Sequence, residues 1–195
     1  APPLSPADSI KTMRVQSGYK VIPVLTEPDI HEPSAIAWDG NGRMYVVEMR
    51  TYMQDIDGKN QLAPVSRVSR HEDSNGDGIY DKHTIFADNL SLPRMVLPLI
   101  DRVIIRETNT LDLKSYQDTN NDGVADKIEL WHAGGSRGGN LEHQPSGLIW
   151  NIDNWIYTTY SPHRYRVSNG KVIRGNLPHG AGQWGLTHDN VGRIF

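Results

Sequence analysis

A hairpin pattern that recurs along the chain limits its folding more than any other feature. Pro33-Ser34-Ala-Ile-Ala-Trp38-Asp-Gly-Asn-Gly-Arg-Met-Tyr45 aligns without gaps to Pro145-Ser146-Gly-Leu-Ile-Trp150-Asn-Ile-Asp-Asn-Trp-Ile-Tyr157. The run from Gly185 through Asp189 and Gly192-Arg193 to Phe195 matches the first copy at an offset of 150 residues. A weaker copy runs through Pro93-Arg-Met-Val-Leu-Pro-Leu-Ile and Arg102-Val-Ile-Ile-Arg. Each copy reads as strand, Asp/Asn/Gly turn, strand. Flanking β-rich stretches complete four-stranded units, with strands expected near 34–39, 43–49, 64–71 and 83–88, then 94–100, 102–107, 111–117 and 127–132, then 146–151, 155–160, 163–168 and 171–174. Four short strands in each unit of about 40–60 residues is the β-propeller signature.

The expectation is therefore an all-β fold, a β-propeller, of which this chain covers about three to three and a half blades. A propeller closes with about four to eight blades, and a blade broken off in its second strand leaves an open edge. The 195 residues are thus expected to form about half of a larger domain. Residues 1–18 read as an N-terminal extension and 19–195 as the partial propeller, with blades near 33–90, 91–143 and 144–178 and a fourth beginning at 183. The run Tyr19-Lys-Val-Ile-Pro-Val-Leu25 is predicted to be a strand, closing the ring as the outer strand of the final blade.

Composition agrees and excludes some roles. Eighteen Gly and twelve Pro beside only two Phe suit short elements and many turns. With 20 basic against 23 acidic residues there is no basic footprint for nucleic acid. No run approaches the ~20 apolar residues needed to cross a bilayer as a helix. Cysteine is absent, so no disulfide, thiolate nucleophile, Cys-ligated zinc or covalent haem lies within these residues.

Two loops carry a cation-binding pattern. Asp73-Ser-Asn75-Gly-Asp77-Gly78-Ile79-Tyr-Asp81 recurs 45 residues later as Asp118-Thr-Asn120-Asn-Asp122-Gly123-Val124-Ala-Asp126. Calcium takes six to eight oxygens, which alternate loop positions can supply. Here those are Asp73, Asn75, Asp77, the Ile79 carbonyl and Asp81, and in the second loop Asp118, Asn120, Asp122, the Val124 carbonyl and Asp126. The flanks read as strands, so two structural calcium sites stapling β-hairpins are expected rather than an EF-hand. The alternative is a pair of polar Asx turns without metal. Together with an N-terminus that begins Ala1-Pro2-Pro3-Leu4 without Met, the calcium loops point to an exported protein, periplasmic, outer-surface or secreted.

A resemblance adds chemistry. Glu142-His143-Gln144-Pro-Ser146-Gly147-Leu148 and the hairpin after it resemble the segment that carries the catalytic histidine of soluble PQQ-dependent sugar dehydrogenases, with Pro145 inserted and the Arg before the Leu missing. The stretch from Glu32 to Arg50 is similar to that family's first blade. Nearly the whole chain resembles the "membrane-bound dehydrogenase" propellers often fused to c-type haem domains, which combine a Val-Val-Glu-Met-Arg strand with tandem Asp loops. The resemblance implies a six-bladed propeller that oxidises a sugar or alcohol and passes electrons to a c-type cytochrome. In it His143 takes the hydroxyl proton, Glu142 helps to bind substrate or to orient the site, and hydride moves to PQQ. Gln144, Arg50, Arg164 and Gln183 are the implied cofactor contacts. Where that family places an Arg-Asn pair on the cofactor, this chain has Gly180-Ala181. Two other readings compete: a non-catalytic, calcium-stabilised propeller that binds carbohydrate or a protein partner, and a metal-dependent lactonase drawing ligands from Glu32, Glu48, Glu107 and Asn109.

Overall fold

The computed structural model of the chain describes residues 2–177, 182 and 184–195. One helix, α1 (Pro6–Thr12), precedes the sheets. Ser5 caps it by accepting the Asp8 amide, and Pro6 occupies its first turn. No helix among the described residues is long and apolar enough to cross a membrane.

Twelve strands follow as three four-stranded antiparallel sheets, each in sequential order. Blade 1 contains β1 (Pro33–Trp38), β2 (Met44–Glu48), β3 (Ser66–Glu72) and β4 (Lys82–Leu90). Blade 2 contains β5 (Pro93–Pro98), β6 (Val103–Glu107), β7 (Leu113–Gln117) and β8 (Lys127–His132). Blade 3 contains β9 (Ile149–Trp150), β10 (Ile156–Tyr157), β11 (His163–Ser168) and β12 (Lys171–Asn176). This is the expected all-β propeller architecture.

Blade 2 is a slab with both faces covered. Along β6, Val103 and Ile105 pack with Tyr45, Val47, Val68 and Phe86 of blade 1, while Ile104 packs with Ile156 and Tyr165 of blade 3. Opposite sides of a strand thus serve two cores, which is why β6 reads as a continuous apolar run. Tyr45 and Phe86 meet edge to face with centroids 5.1 Å apart. Because successive strands reverse direction, the loops into each first strand and those joining second to third strands share one rim. The Asp loops 73–81 and 118–126, joining third to fourth strands, lie at the other.

Two expectations need correction. Residues 19–25 form no strand. Tyr19 and Ile22 are mostly exposed, and the segment meets blade 1 through the Tyr80 amide, which donates to the Val24 carbonyl. Among the described residues no strand pairs with this run, so it lacks the ladder partner that a strand requires. The first hairpin of blade 3 is also shorter than predicted, since only Ile149–Trp150 pairs with Ile156–Tyr157. The copy at 185–195 forms a single bridge, His188 to Ile194. It reproduces the blade 1 turn, however: Asp189 accepts the Val191 and Arg193 amides just as Asp39 accepts those of Asn41 and Arg43.

Candidate functional site

The rim is organised by a device that blades 1 and 2 share and blade 3 lacks. Glu48 ends β2 and Glu107 ends β6, each in register with the proline that opens its blade. Glu48 accepts the His31 amide at 2.9 Å and pairs with Arg67 at 2.8 Å. Glu107 accepts the Ser91 amide at 2.7 Å and pairs with Lys114 at 2.9 Å. A buried carboxylate thus clamps the lead-in loop two residues before each proline, and the intervening residues, Glu32 and Leu92, turn through positive φ. Both glutamates are committed to these clamps, and Glu32 accepts Gln54, so the structure does not present them together as lactonase metal ligands.

In blade 3 the position of the clamping glutamate is Tyr160 and the clamped residue is His143. Asn140, from the same loop, takes the His143 amide at 2.8 Å. The His143 ring is instead stacked on Tyr160, with centroids 5.9 Å apart and an angle of 29° between planes. Both rings are exposed to solvent at the rim.

Blade 2 holds this loop from behind with two buried arginines. Arg94 donates to the Leu141, Glu142 and Gln144 carbonyls and to Thr108 Oγ1. Arg106 donates to the Thr110 and Pro145 carbonyls. The carbonyls on either side of His143 are therefore fixed while its ring is left to the solvent. Burial, then the neighbouring Arg94, push the Arg106 guanidinium down to about 10. Burial likewise lowers Arg94.

Two clefts flank the loop. One, of about 320 Å³, lies between blades 2 and 3 and is lined by Arg106, His132, His143, Tyr160, His163 and Arg174 among others. The other, of about 430 Å³, runs along the first strands and is lined by Ser34, Tyr52, Arg94, Ser146 and Trp184. Trp184 lies 5.2 Å from the Arg94 guanidinium.

The residues implied by the family likeness are not gathered at one point. Gln144 lines the inter-blade cleft but is buried, its amide nitrogen donating to the Gly138 and Asn140 carbonyls. Arg164 is stacked 4.3 Å over Trp155 and donates to Tyr157. Arg50 follows β2 and lines neither cleft, while Glu142 is exposed beside His143. Gln183, with His179 and Gly180-Ala181, lies outside the described residues. Arg106 and His132 escaped the sequence reading because each looks like a polar interruption of a strand. The only signal was a lone Arg among the buried residues of β6.

The two Asp loops match each other almost bond for bond. Asp73 accepts the Gly76, Asp77 and Gly78 amides, and Asp118 accepts those of Asp122 and Gly123. Asp81 accepts both donors of Ser74, and Asp126 both donors of Thr119. Asn75 and Asp77 accept amides within the first loop, and Asn120 and Asp122 do so in the second. The Gly78 amide above all holds the Asp73 carboxyl below the usual carboxylate range. The all-oxygen donor set suits a hard cation. The carboxylates are nevertheless turned onto amides, and no three acidic or histidine side chains converge among the described residues. Among the described residues only the second loop forms an ion pair across a blade boundary, where Asp118 pairs with Arg70 at 3.2 Å.

A family described as a domain of unknown function, DUF7133, matches residues 5–195. The chain belongs to this family. No curated protein matches the sequence. DUF7133 here shares its fold with solved propellers. A gluconolactonase of Xanthomonas campestris is 13% identical with TM-score 0.57, covering 91% of this chain and 57% of its own. The PQQ domain of pyranose dehydrogenase from Coprinopsis cinerea, in its holo form, is 13% identical with TM-score 0.57, covering 93% and 46%. The calcium-binding protein regucalcin of Agrobacterium tumefaciens is 13% identical with TM-score 0.51, covering 79% and 48%. The chain thus spans about half the length of these proteins, and the likeness is one of fold.

Proposed function

We propose that this DUF7133 chain supplies about half of a six-bladed, quinoprotein-type propeller that oxidises a sugar or alcohol and delivers electrons to a c-type cytochrome. The observation that carries the reading is His143, the one of the three equivalent lead-in positions whose amide is released from a glutamate clamp and whose ring faces solvent in a pinned loop. An imidazole so placed can take the proton of a substrate hydroxyl, and Tyr160 beside it offers a flat face to a sugar ring. Glu142 is placed to accept a neighbouring hydroxyl. PQQ, when bound, supplies the hydride acceptor. Of its implied contacts, Gln144 and Arg164 are spent on other partners, so the cradle is not assigned to them. The likeness in fold to sugar-processing propellers supports the reading.

The same proposal assigns one structural calcium ion to each Asp loop, with the oxygens of Asp73, Asn75, Asp77, Ile79 and Asp81 and those of Asp118, Asn120, Asp122, Val124 and Asp126. Such loops suit the millimolar calcium outside the cytoplasm, which agrees with export.

The experiment is dye-linked oxidation of sugars and alcohols by the full-length protein with PQQ and calcium. Turnover that requires PQQ and collapses in His143→Ala is expected. Activity unaltered by that substitution, or an absence of PQQ binding, removes the reading. One observation favours a second, non-catalytic role in carbohydrate binding. A cleft of about 590 Å³ near the opposite rim is lined by Trp131 and Trp150 with Asp101, Glu129, Asn154 and Arg166, an aromatic and polar mixture that suits sugar faces and hydroxyls.

A further inference from the structure

The cleft between blades 2 and 3 carries positive charge that no carboxylate matches. Arg106 lines it at only 2% exposure. Its three hydrogen bonds go to the Thr110 and Pro145 carbonyls and to Gln144 Oε1, all uncharged. Two of the five N–H donors of an arginine therefore have no acceptor among the described residues. Removing a charge from water without a counter-ion is costly, and here the second buried arginine, Arg94, adds repulsion.

Independent groups on the walls of the same cleft show the same deficit. His132 Nε2, at the end of β8, and His163 Nδ1, at the start of β11, are both shielded from solvent and make no hydrogen bond. Arg174 on β12 adds a third cation. The carboxylate that acts on His132 is that of Asp112, which already accepts the Gly134 and Gly135 amides. Buried polar atoms without partners ordinarily mark a water or an ion. Two such atoms, each a donor in the tautomer that protonates it, beside guanidinium groups without a carboxylate partner suit a negative one.

We propose that this cleft binds a small oxyanion, the carboxylate or phosphate group of a ligand, between Arg106, Arg174, His132 and His163. Its volume of about 320 Å³ is at the lower end of those that hold small ligands and suits a molecule of monosaccharide size. The site shares its cleft with His143 but does not depend on the oxidation proposed above.

The test is calorimetric binding and thermal melting of the full-length protein with inorganic phosphate, glucuronate, glucose and sodium chloride at matched ionic strength. Phosphate or glucuronate is expected to bind and raise the melting temperature, and glucose and chloride are not. Tighter phosphate binding identifies a phosphate ligand, and tighter glucuronate binding an acidic sugar. Arg106→Gln is expected to abolish binding. Arg174→Gln, at an exposed position, is expected to weaken it about tenfold without unfolding the chain. Oxyanions that do no more than chloride, or that bind Arg174→Gln as tightly as the unaltered protein, overturn the proposal even where Arg106→Gln fails to fold. Binding is read without PQQ, so loss of oxidation with binding intact counts only against the proposed function.

Discussion

Blades 1 and 2 close their rim loops with a buried carboxylate, whereas blade 3 leaves the equivalent loop to a stacked tyrosine. Glu48 and Glu107 each satisfy a backbone amide and a cation in one geometry. Tyr160 does neither for His143. The comparison separates two uses of one scaffold position. In blades 1 and 2 the lead-in loop is tied to the sheet by a carboxylate, and in blade 3 it is held through its carbonyls by Arg94 and Arg106 and through the His143 amide by Asn140. A shared fold thus exposes one rim loop by omitting a stabilising contact in one copy.

The widest effect should come from the two histidines that this comparison aligns. His143→Ala should lower turnover by about 10²–10⁴-fold, the usual loss with a general base, while His31→Ala should leave it unchanged in the same dye-linked assay. Equal losses would break the distinction between clamped and released loops. Stability should show the reverse order. Glu48→Ala should cost about 3 kcal/mol in denaturant unfolding, because it leaves Arg67 and the His31 amide unpaired in a buried setting. Glu107→Ala should cost less, its partner Lys114 being 37% exposed against 16% for Arg67. Tyr160→Ala should cost least.

A third contrast concerns pH. The third strands of the three blades place His71, Tyr116 and Tyr165 in register with the first residues of β2, β6 and β10. Only blade 1 buries an ionisable imidazole there. Burial, then His83, lower His71 to about 4. Between that value and the unfolded one near 6.5 the unfolded chain binds more protons, so stability should rise with pH across this window and be lost as pH falls through it. The contribution is about 3 kcal/mol, read from unfolding midpoints at pH 4 to 7. His71→Tyr should remove it.

The last contrast is between the two Asp loops. A bound ion at a hundred times its Kd adds about 2.7 kcal/mol, so chelation should lower the melting temperature. An unchanged value would leave the loops as plain turns. Asp118→Ala should destabilise more than Asp73→Ala, since it also frees Arg70 across the boundary between blades 1 and 2.

Much of this was legible beforehand. The gapless hairpin alignment located the first and second strands of blades 1 and 3, and extended by a few residues it also pairs His31 with His143 and Glu48 with Tyr160. The Asp loops were visible because their side chains bind amides close in sequence. Arg106 was not visible, since its value lies in carbonyls of a loop 39 residues away. The strand assigned to 19–25 did not form because an apolar, β-prone run becomes a strand only where another sheet edge receives it.

What the sequence determined by itself is the periodic architecture, because turn chemistry and alternating burial act over a few residues and repeat with the chain. What only the tertiary structure decided is which copy of the rim is open and which cations meet no anion. Those depend on side chains brought together from different blades, and electrostatic balance in a buried cleft is set by distance in space, not by order along the chain.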